Sequence, residues 1–269
     1  MIDEKLQKKI NQAIRLLQTT CKGNIAEVAY SGGKDSDVIL ELAKEAGINY
    51  VARYKNTTID PPGTIKHCKE NGVEILNPKD TFFQIVSKAG YPNRVTRFCC
   101  AKLKEYPTDS EIVILGIRRE ESRKRKERYK EPVECRVYSK EKHVQHILPI
   151  LEWTAEDVKD FIQDRKLKIH PLYYDERGEI HADRRLGCMG CPLMSRKKRV
   201  QFFMENPRWL KAWIKAGHQF YKDRTMDEYE MMVGMLFYNT IRELREIQNG
   251  LFGRMDCKGI LEKKFNIKL

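Results

Sequence analysis

Three groups of residues have types and spacings suited to chemistry. The first is Ser31-Gly32-Gly33-Lys34-Asp35-Ser36. Two glycines let a backbone come close to a ligand and adopt positive φ, amides at a helix start cradle phosphate, and Lys34 adds a mobile charge. The spacing is neither that of the GxxxxGK loop nor that of GxGxxG, and a plain glycine turn capped by Asp35 is the blander reading. The second group pairs Cys99-Cys100 with Cys188-Met189-Gly190-Cys191. Four thiolates close a structural zinc site or hold an iron–sulfur cluster; a redox disulfide or simple burial are the alternatives, and the CxxC spacing taken alone favours zinc. Third, Arg118, Arg119 and Arg123 offer bidentate donors to phosphate or sulfate, with solvated surface charge as the alternative.

These groups need elements to hold them. Leu6, Ile10, Ile14 and Leu17 recur at helical spacing over 3–20, and 25–30 reads as a buried strand running into the glycines, with a helix restarting at Asp35. The same alternation predicts strands at 50–52 and 73–76, helices near 62–71 and 80–89, and a further apolar strand at 111–116. Strand–helix alternation implies an α/β fold with an open, mostly parallel sheet and helices on both faces. The first loop then lies beyond the carboxyl end of a strand, where such sheets bind ligands. After residue 200 no strand is predicted. Phe202, Trp209, Trp213, Phe220, Tyr221, Tyr229, Met232 and Leu236 read as the core of a helical C-terminal subdomain rather than as base-stacking positions. The expected division is 1–199 for the nucleotide-binding domain with the cysteines and 200–269 for the helical part.

Composition sets the class. Of 269 residues, 41% are hydrophobic and 33% charged, which excludes a disordered or collagenous chain. No window approaches the roughly 18 apolar residues of a membrane span. The start, Met1 to Lys5, lacks a signal peptide's pattern, and eight cysteines are too sparse for a disulfide scaffold. A soluble cytoplasmic protein is expected. The formal charge of +13 is local: residues 118–130 carry eight basic and three acidic side chains, and 184–199 carry six basic and none acidic. Two such unbalanced runs beside glycine and cysteine motifs favour polyanion binding over a merely solvated face.

The loop at 31–36 resembles the PP-loop of the adenine nucleotide alpha-hydrolase-like superfamily. That resemblance implies ATP binding and cleavage between the α and β phosphates, with Ser31, Gly32, Gly33 and Ser36 holding pyrophosphate and Lys34 and Asp35 assisting through charge and Mg²⁺. The CC and CxxC pairs resemble the 4Fe-4S signature of adenylylsulfate reductases, within the phosphoadenylylsulfate (PAPS) reductase family. Further matches are Leu103-Lys104 with Pro107, 116–123, 152–158 and 170–173. The resemblance implies a 4Fe-4S cluster on Cys99, Cys100, Cys188 and Cys191, which shifts the reading from zinc to cluster. Cys21, Cys68 and Cys135 stay unassigned. Trp153 reads as packing above a helix whose core positions are Val158 and Ile162, and His170, His181 and His218 read as structural.

The resemblance has one gap. Sulfonucleotide reductases attack sulfur with a cysteine in a Glu-Cys-Gly-Leu-His tail, whereas these residues offer only Cys257, with Arg254 and Lys258 nearby. Proteins that insert sulfur into DNA or tRNA combine such a loop with a cluster instead. The first expectation is therefore an ATP- and Mg²⁺-dependent cluster enzyme that adenylates DNA or tRNA, supplied by a sulfur-donor protein such as a cysteine desulfurase. A sulfonucleotide reductase is the second, and a noncatalytic nucleic-acid-binding module with a structural metal the third.

Overall fold

The computed structural model describes residues 2–238, 241–248 and 255–269; Arg254 lies outside the described residues. In chain order the elements are α1 (Glu4–Thr20), β1 (Ala26–Tyr30), α2 (Lys34–Glu45), β2 (Tyr50–Lys55), α3 (Thr64–Glu70), β3 (Glu74–Leu76), α4 (Phe82–Ala89), α5 (Phe98–Leu103), β4 (Ile112–Ile114), α6 (Arg123–Arg128), β5 (Val133–Val137), β6 (His143–Ile147), α7 (Ala155–Asp164), α8 (Arg196–Glu205), α9 (Pro207–Tyr221), α10 (Glu228–Phe237), α11 (Ile241–Gln248) and α12 (Cys257–Phe265). None of the described helices is long and apolar enough to cross a membrane.

The chain forms two compact units. Residues 1–56, 61–77 and 106–186 make the first, and 57–60, 78–105 and 187–269 the second. This differs from a cut at 199/200. The physical reason is that 78–105 and the CxxC loop share the apolar core of the C-terminal helices: Phe82, Ile85, Val86, Tyr91 and Leu103 belong with Phe203, Leu210 and Trp213. Apolar area buried together, not position along the chain, decides which segments cohere.

The first unit is α/β. Its six strands run in the order β3-β2-β1-β4-β6-β5. All neighbours are parallel except β5 and β6, which pair antiparallel at one edge. The strand order reverses between β1 and β4, so the loops after these two strands face a common crevice. Gly116, after β4, comes so close to α2 that an added Cβ would stand 2.9 Å from the Asp35 carbonyl oxygen. Ala26, Val28 and Tyr30 of β1 pack with Leu6, Ile10 and Leu17 of α1, Val38 and Leu42 of α2, and Val158, Phe161 and Ile162 of α7. Trp153 is buried against Phe161, as its packing role predicts.

The second unit is helical. Trp213 is 1% exposed and meets Phe82 at 4.9 Å between ring centroids and Tyr91 at 6.0 Å. Tyr221, Met232 and Leu236 are buried with it, while Phe202, Trp209, Phe220 and Tyr229 pack against its edge. The aromatic positions after residue 200 therefore build a core. Gly217 of α9 is what lets Tyr91 lie there, since an added Cβ would fall on the Tyr91 hydroxyl and ring. Alanine in a helix interior gains about 1 kcal/mol over glycine. Overpacking costs about 1–3 kcal/mol. The clash wins: Gly217→Ala is expected to lower stability in urea titrations, whereas an unchanged or raised midpoint would show that Tyr91 moves aside freely.

Candidate active site and cysteine centre

The phosphate loop follows β1 without interruption. Gly32 holds φ +74°, and an added Cβ there would meet Thr64 Cγ2 at 2.8 Å, so both conformation and space demand glycine. Gly33 stands at the N-cap of α2 and has no side chain to cap it. The helix therefore presents its positive end to the crevice. Ser36 donates through Oγ to the Gly33 carbonyl at 2.6 Å and lies 3.3 Å from the Ser31 hydroxyl, which keeps both hydroxyls in the loop.

Lys34 is 2% exposed. A buried ammonium needs a counter-charge. Its Nζ pairs with Asp35 Oδ2 at 2.9 Å and lies over the Tyr173 ring, 5.3 Å from the centroid. The other Asp35 oxygen accepts from Arg118 Nε at 2.6 Å, and Arg118 also pairs with Glu120 at 2.9 Å. Lys34, Asp35, Arg118 and Glu120 thus form a chain of alternating charge along the two loops that meet at the crevice. Asp35 already has two cationic partners, so in this arrangement it places Lys34 and Arg118.

The three arginines divide. Arg118 is buried in this chain. Arg119 donates to the Tyr129 carbonyl, pairs with Glu152, and lines a cavity of about 430 Å³ of mixed charge, with Lys126 and Lys130 alongside Glu120 and Glu152. Arg123 is exposed on α6 and pairs with Glu127 one turn on, which is the solvated-charge alternative. The histidines have local partners: His170 Nδ1 accepts from the Leu172 amide, His181 pairs with Asp175 and His218 with Glu228.

One group beneath the loop is not predicted from the sequence. Asp37 is buried, with one oxygen accepting from the Tyr30 hydroxyl and lying 2.9 Å from His67 Nε2. Its second oxygen has no partner among the described residues. Burial raises the Asp37 pKa, against the hydrogen bonds of His67 and Tyr30. The available signal is a second carboxylate two residues after Asp35, directly before the apolar run Val38-Ile39-Leu40.

The four cysteines all lie in the second unit. Cys99 and Cys100 open α5, and Cys188 and Cys191 close a turn in which the Cys191 amide donates to the Cys188 carbonyl at 3.2 Å. Gly190 holds that turn at φ +75°, and a Cβ there would press on Phe203 at 2.7 Å. All four cysteines line one small apolar cavity with Leu103, Met189 and Trp213. The two pairs, separated by 87 residues in sequence, therefore line one cavity. Free space among them is about 20 Å³, room for one water-sized body. No group of three or more His, Cys, Asp or Glu among the described residues is set as a metal site. The donor chemistry still fits: four soft sulfurs in apolar walls suit zinc or an iron–sulfur cluster.

The polar surroundings also bear on these thiols. Cys188 Sγ lies 3.5 Å from Asp60 Oδ1, as does Lys104 Nζ. Burial pushes the Cys188 thiol up to about 11, although Lys104 works against it. In the adjacent pair, the Cys99 thiol donates to Cys100, which pulls Cys100 down to about 6 with help from Arg97, while Cys99 is raised. The first proton lost belongs to the pair. Metal-free protein is therefore expected to alkylate at this pair with a half-maximal rate near pH 6; a midpoint near the ordinary thiol value of 9.0 would contradict the geometry. Cys257 is 3% exposed at the start of α12, within the core, so its thiol is enclosed rather than presented to a substrate.

The chain is similar to proteins of known structure, while no curated protein matches it. Among solved structures, similarity is found to a phosphoadenylyl-sulfate (PAPS) reductase from Candida auris in a phosphate complex, at 14% identity and TM-score 0.49, covering 71% of this chain and 98% of that one. An NH3-dependent NAD synthetase from Campylobacter jejuni subsp. jejuni NCTC 11168, in complex with nitrate, is similar at 14% identity and TM-score 0.38, covering 83% and 95%. The family model of the phosphoadenosine phosphosulfate reductase domain matches residues 26–194, which include the phosphate loop, the arginines and all four cysteines of the cavity. Matched over more than half its length, the chain belongs to the phosphoadenosine phosphosulfate reductase domain family.

Proposed function

We propose that the chain is an ATP-dependent enzyme of sulfur chemistry that adenylates a nucleic acid, DNA or tRNA, for sulfur insertion. The observation that carries this reading is the intact phosphate loop: a left-handed glycine, an uncapped helix start, two hydroxyls and a buried lysine at the strand-order reversal of a parallel sheet. Such preorganised donors suit an oxyanion-rich leaving group, pyrophosphate. In the first step an acceptor oxygen attacks the α-phosphorus, the bond to the bridging oxygen breaks, and pyrophosphate leaves into the loop. The outer sulfur of a persulfide on a donor protein such as a cysteine desulfurase then attacks the adenylated centre and displaces AMP, and an added thiol reductant cleaves the resulting S–S bond, leaving sulfur on the acceptor and returning the donor's cysteine. Mg²⁺ would arrive with the phosphates, as it usually binds substrate oxygens plus one or two carboxylates, and Asp35 would take it in exchange for its bond from Lys34, which then turns to the phosphates. Cys99, Cys100, Cys188 and Cys191 would hold a 4Fe-4S cluster, which supplies a place to carry sulfur. The excess of Lys and Arg suits a nucleic-acid substrate, because phosphate contacts dominate nonspecific affinity. The test is ATP–pyrophosphate exchange. Exchange that depends on added DNA or tRNA supports the reading, and absence of nucleotide binding removes it.

A second reading, reduction of a sulfonucleotide, draws support from the family match. It needs an attacking thiol, and the enclosure of Cys257 leaves that role to a partner thiol. Sulfite release from adenylylsulfate or its 3′-phosphorylated form, unaffected by Cys257→Ser, is what this reading predicts.

A further inference from the structure

The second unit contains a cavity of about 650 Å³ that neither the phosphate loop nor the cysteine centre uses. Its size is that of a small-molecule site. Its charge is one-sided: among the described residues Arg94, Arg196 and Arg199 line it and no carboxylate does. Proline, methionine and tyrosine side chains make up much of the remainder, including Met235 and Tyr238.

Two of the three cations, Arg196 and Arg199, sit where the backbone repels them. Ser195 caps α8, and the first turn is Arg196-Lys197-Lys198-Arg199 with no acidic residue. Positive side chains at a helix N-terminus oppose the helix dipole, an arrangement that an incoming anion relieves. Arg199 is 3% exposed. Its Nη groups donate to the carbonyls of Pro192, Met194 and Met235, yet its Nε has no partner among the described residues. Among the described residues Arg94 donates to carbonyls, those of Pro192, Leu193 and Met194. Carbonyls take the Nη bonds of Arg199 and the bonds of Arg94, and they do not neutralise the guanidinium charge. Burial accordingly pulls Arg199 below the usual guanidinium range.

We propose that this cavity is a second anion site, which takes one nucleotide unit of a single-stranded nucleic acid, its phosphate on Arg94, Arg196 and Arg199 and its base against the Met235 and Tyr238 walls. A recessed cavity favours an unstacked nucleotide over the face of a duplex, and aromatic and apolar walls hold bases of any sequence. The inference rests on the nucleic-acid reading above for the identity of the polyanion.

The experiment measures fluorescence anisotropy of labelled single-stranded DNA and RNA oligonucleotides with the protein as purified anaerobically, without ATP. Arg196→Glu reverses an exposed charge and leaves the core intact; Arg94→Glu is the second variant. Each is expected to weaken oligonucleotide binding at least tenfold. Each is also expected to lower the salt slope, because one of the three cations at the phosphate becomes an anion, while ATP binding stays as in the unaltered protein. Oligonucleotide binding unchanged in both variants overturns this site and leaves the nucleic-acid reading standing. No oligonucleotide binding by the unaltered protein overturns both. Competition by thymidine monophosphate or inorganic phosphate as effective as that by the oligonucleotide, mole for mole, assigns the cavity to a small anion and contradicts the strand.

Discussion

Lys34→Met is expected to lower ATP–pyrophosphate exchange by about 10²–10³-fold, the usual cost of removing one preorganised donor to a developing oxyanion. The substitution keeps an unbranched apolar stem and removes the terminal ammonium. Folding is expected to survive, because Asp35 retains its bond from Arg118 at 2.6 Å and is not left as an unpaired buried carboxylate. Loss of activity with an unchanged urea midpoint therefore identifies Lys34 as a group acting on the nucleotide. Arg118→Met makes the contrast: it removes a partner of Asp35 and of Glu120, so stability and activity are expected to fall together. Full exchange activity in Lys34→Met would show that the buried ammonium serves only the fold.

The second large effect concerns the cysteines. Cys188→Ser and Cys191→Ser are each expected to abolish stoichiometric metal, read as iron, sulfide and zinc per chain after anaerobic purification. Cysteine thiolates hold iron–sulfur clusters, and a serine hydroxyl is a far poorer match for soft metals. About four irons per chain with a brown colour is expected for the unaltered protein. Zinc at one per chain under the same handling contradicts the cluster and leaves the four-sulfur site. Cys135→Ser serves as control, since Cys135 is exposed on β5 and its loss is expected to change nothing. Retention of the metal by all the cysteine variants would contradict the centre itself.

Much of this was legible in the sequence because it is local. Period and punctuation define β1 through β4 with α2, α3 and α4, though not α5, and the glycines, Lys34 and Ser36 announce the loop at its strand–helix junction. The hairpin β5–β6 escapes such reading. Its strands, Val133-Glu134-Cys135-Arg136-Val137 and His143-Val144-Gln145-His146-Ile147, mix charge into the alternation, as an edge pair with one wet face does. Non-local pairings escape as well. Arg118 meets Asp35 across 83 residues, and Asp37 meets His67 across 30, contacts that spacing along the chain does not encode. The unit boundary fails for the same reason: the helix carrying Cys99 and Cys100 packs with helices more than a hundred residues later. The cysteine motifs were visible as motifs, but only the fold places all four around one cavity.

The most direct measurement follows the fate of ATP. Protein purified anaerobically is incubated with Mg-ATP labelled at the α-phosphate and with DNA or tRNA, and the nucleotide products are separated. AMP with pyrophosphate, formed only when the nucleic acid is present and abolished by Lys34→Met, is the predicted result. ADP with inorganic phosphate, or intact ATP that never binds, would contradict the account.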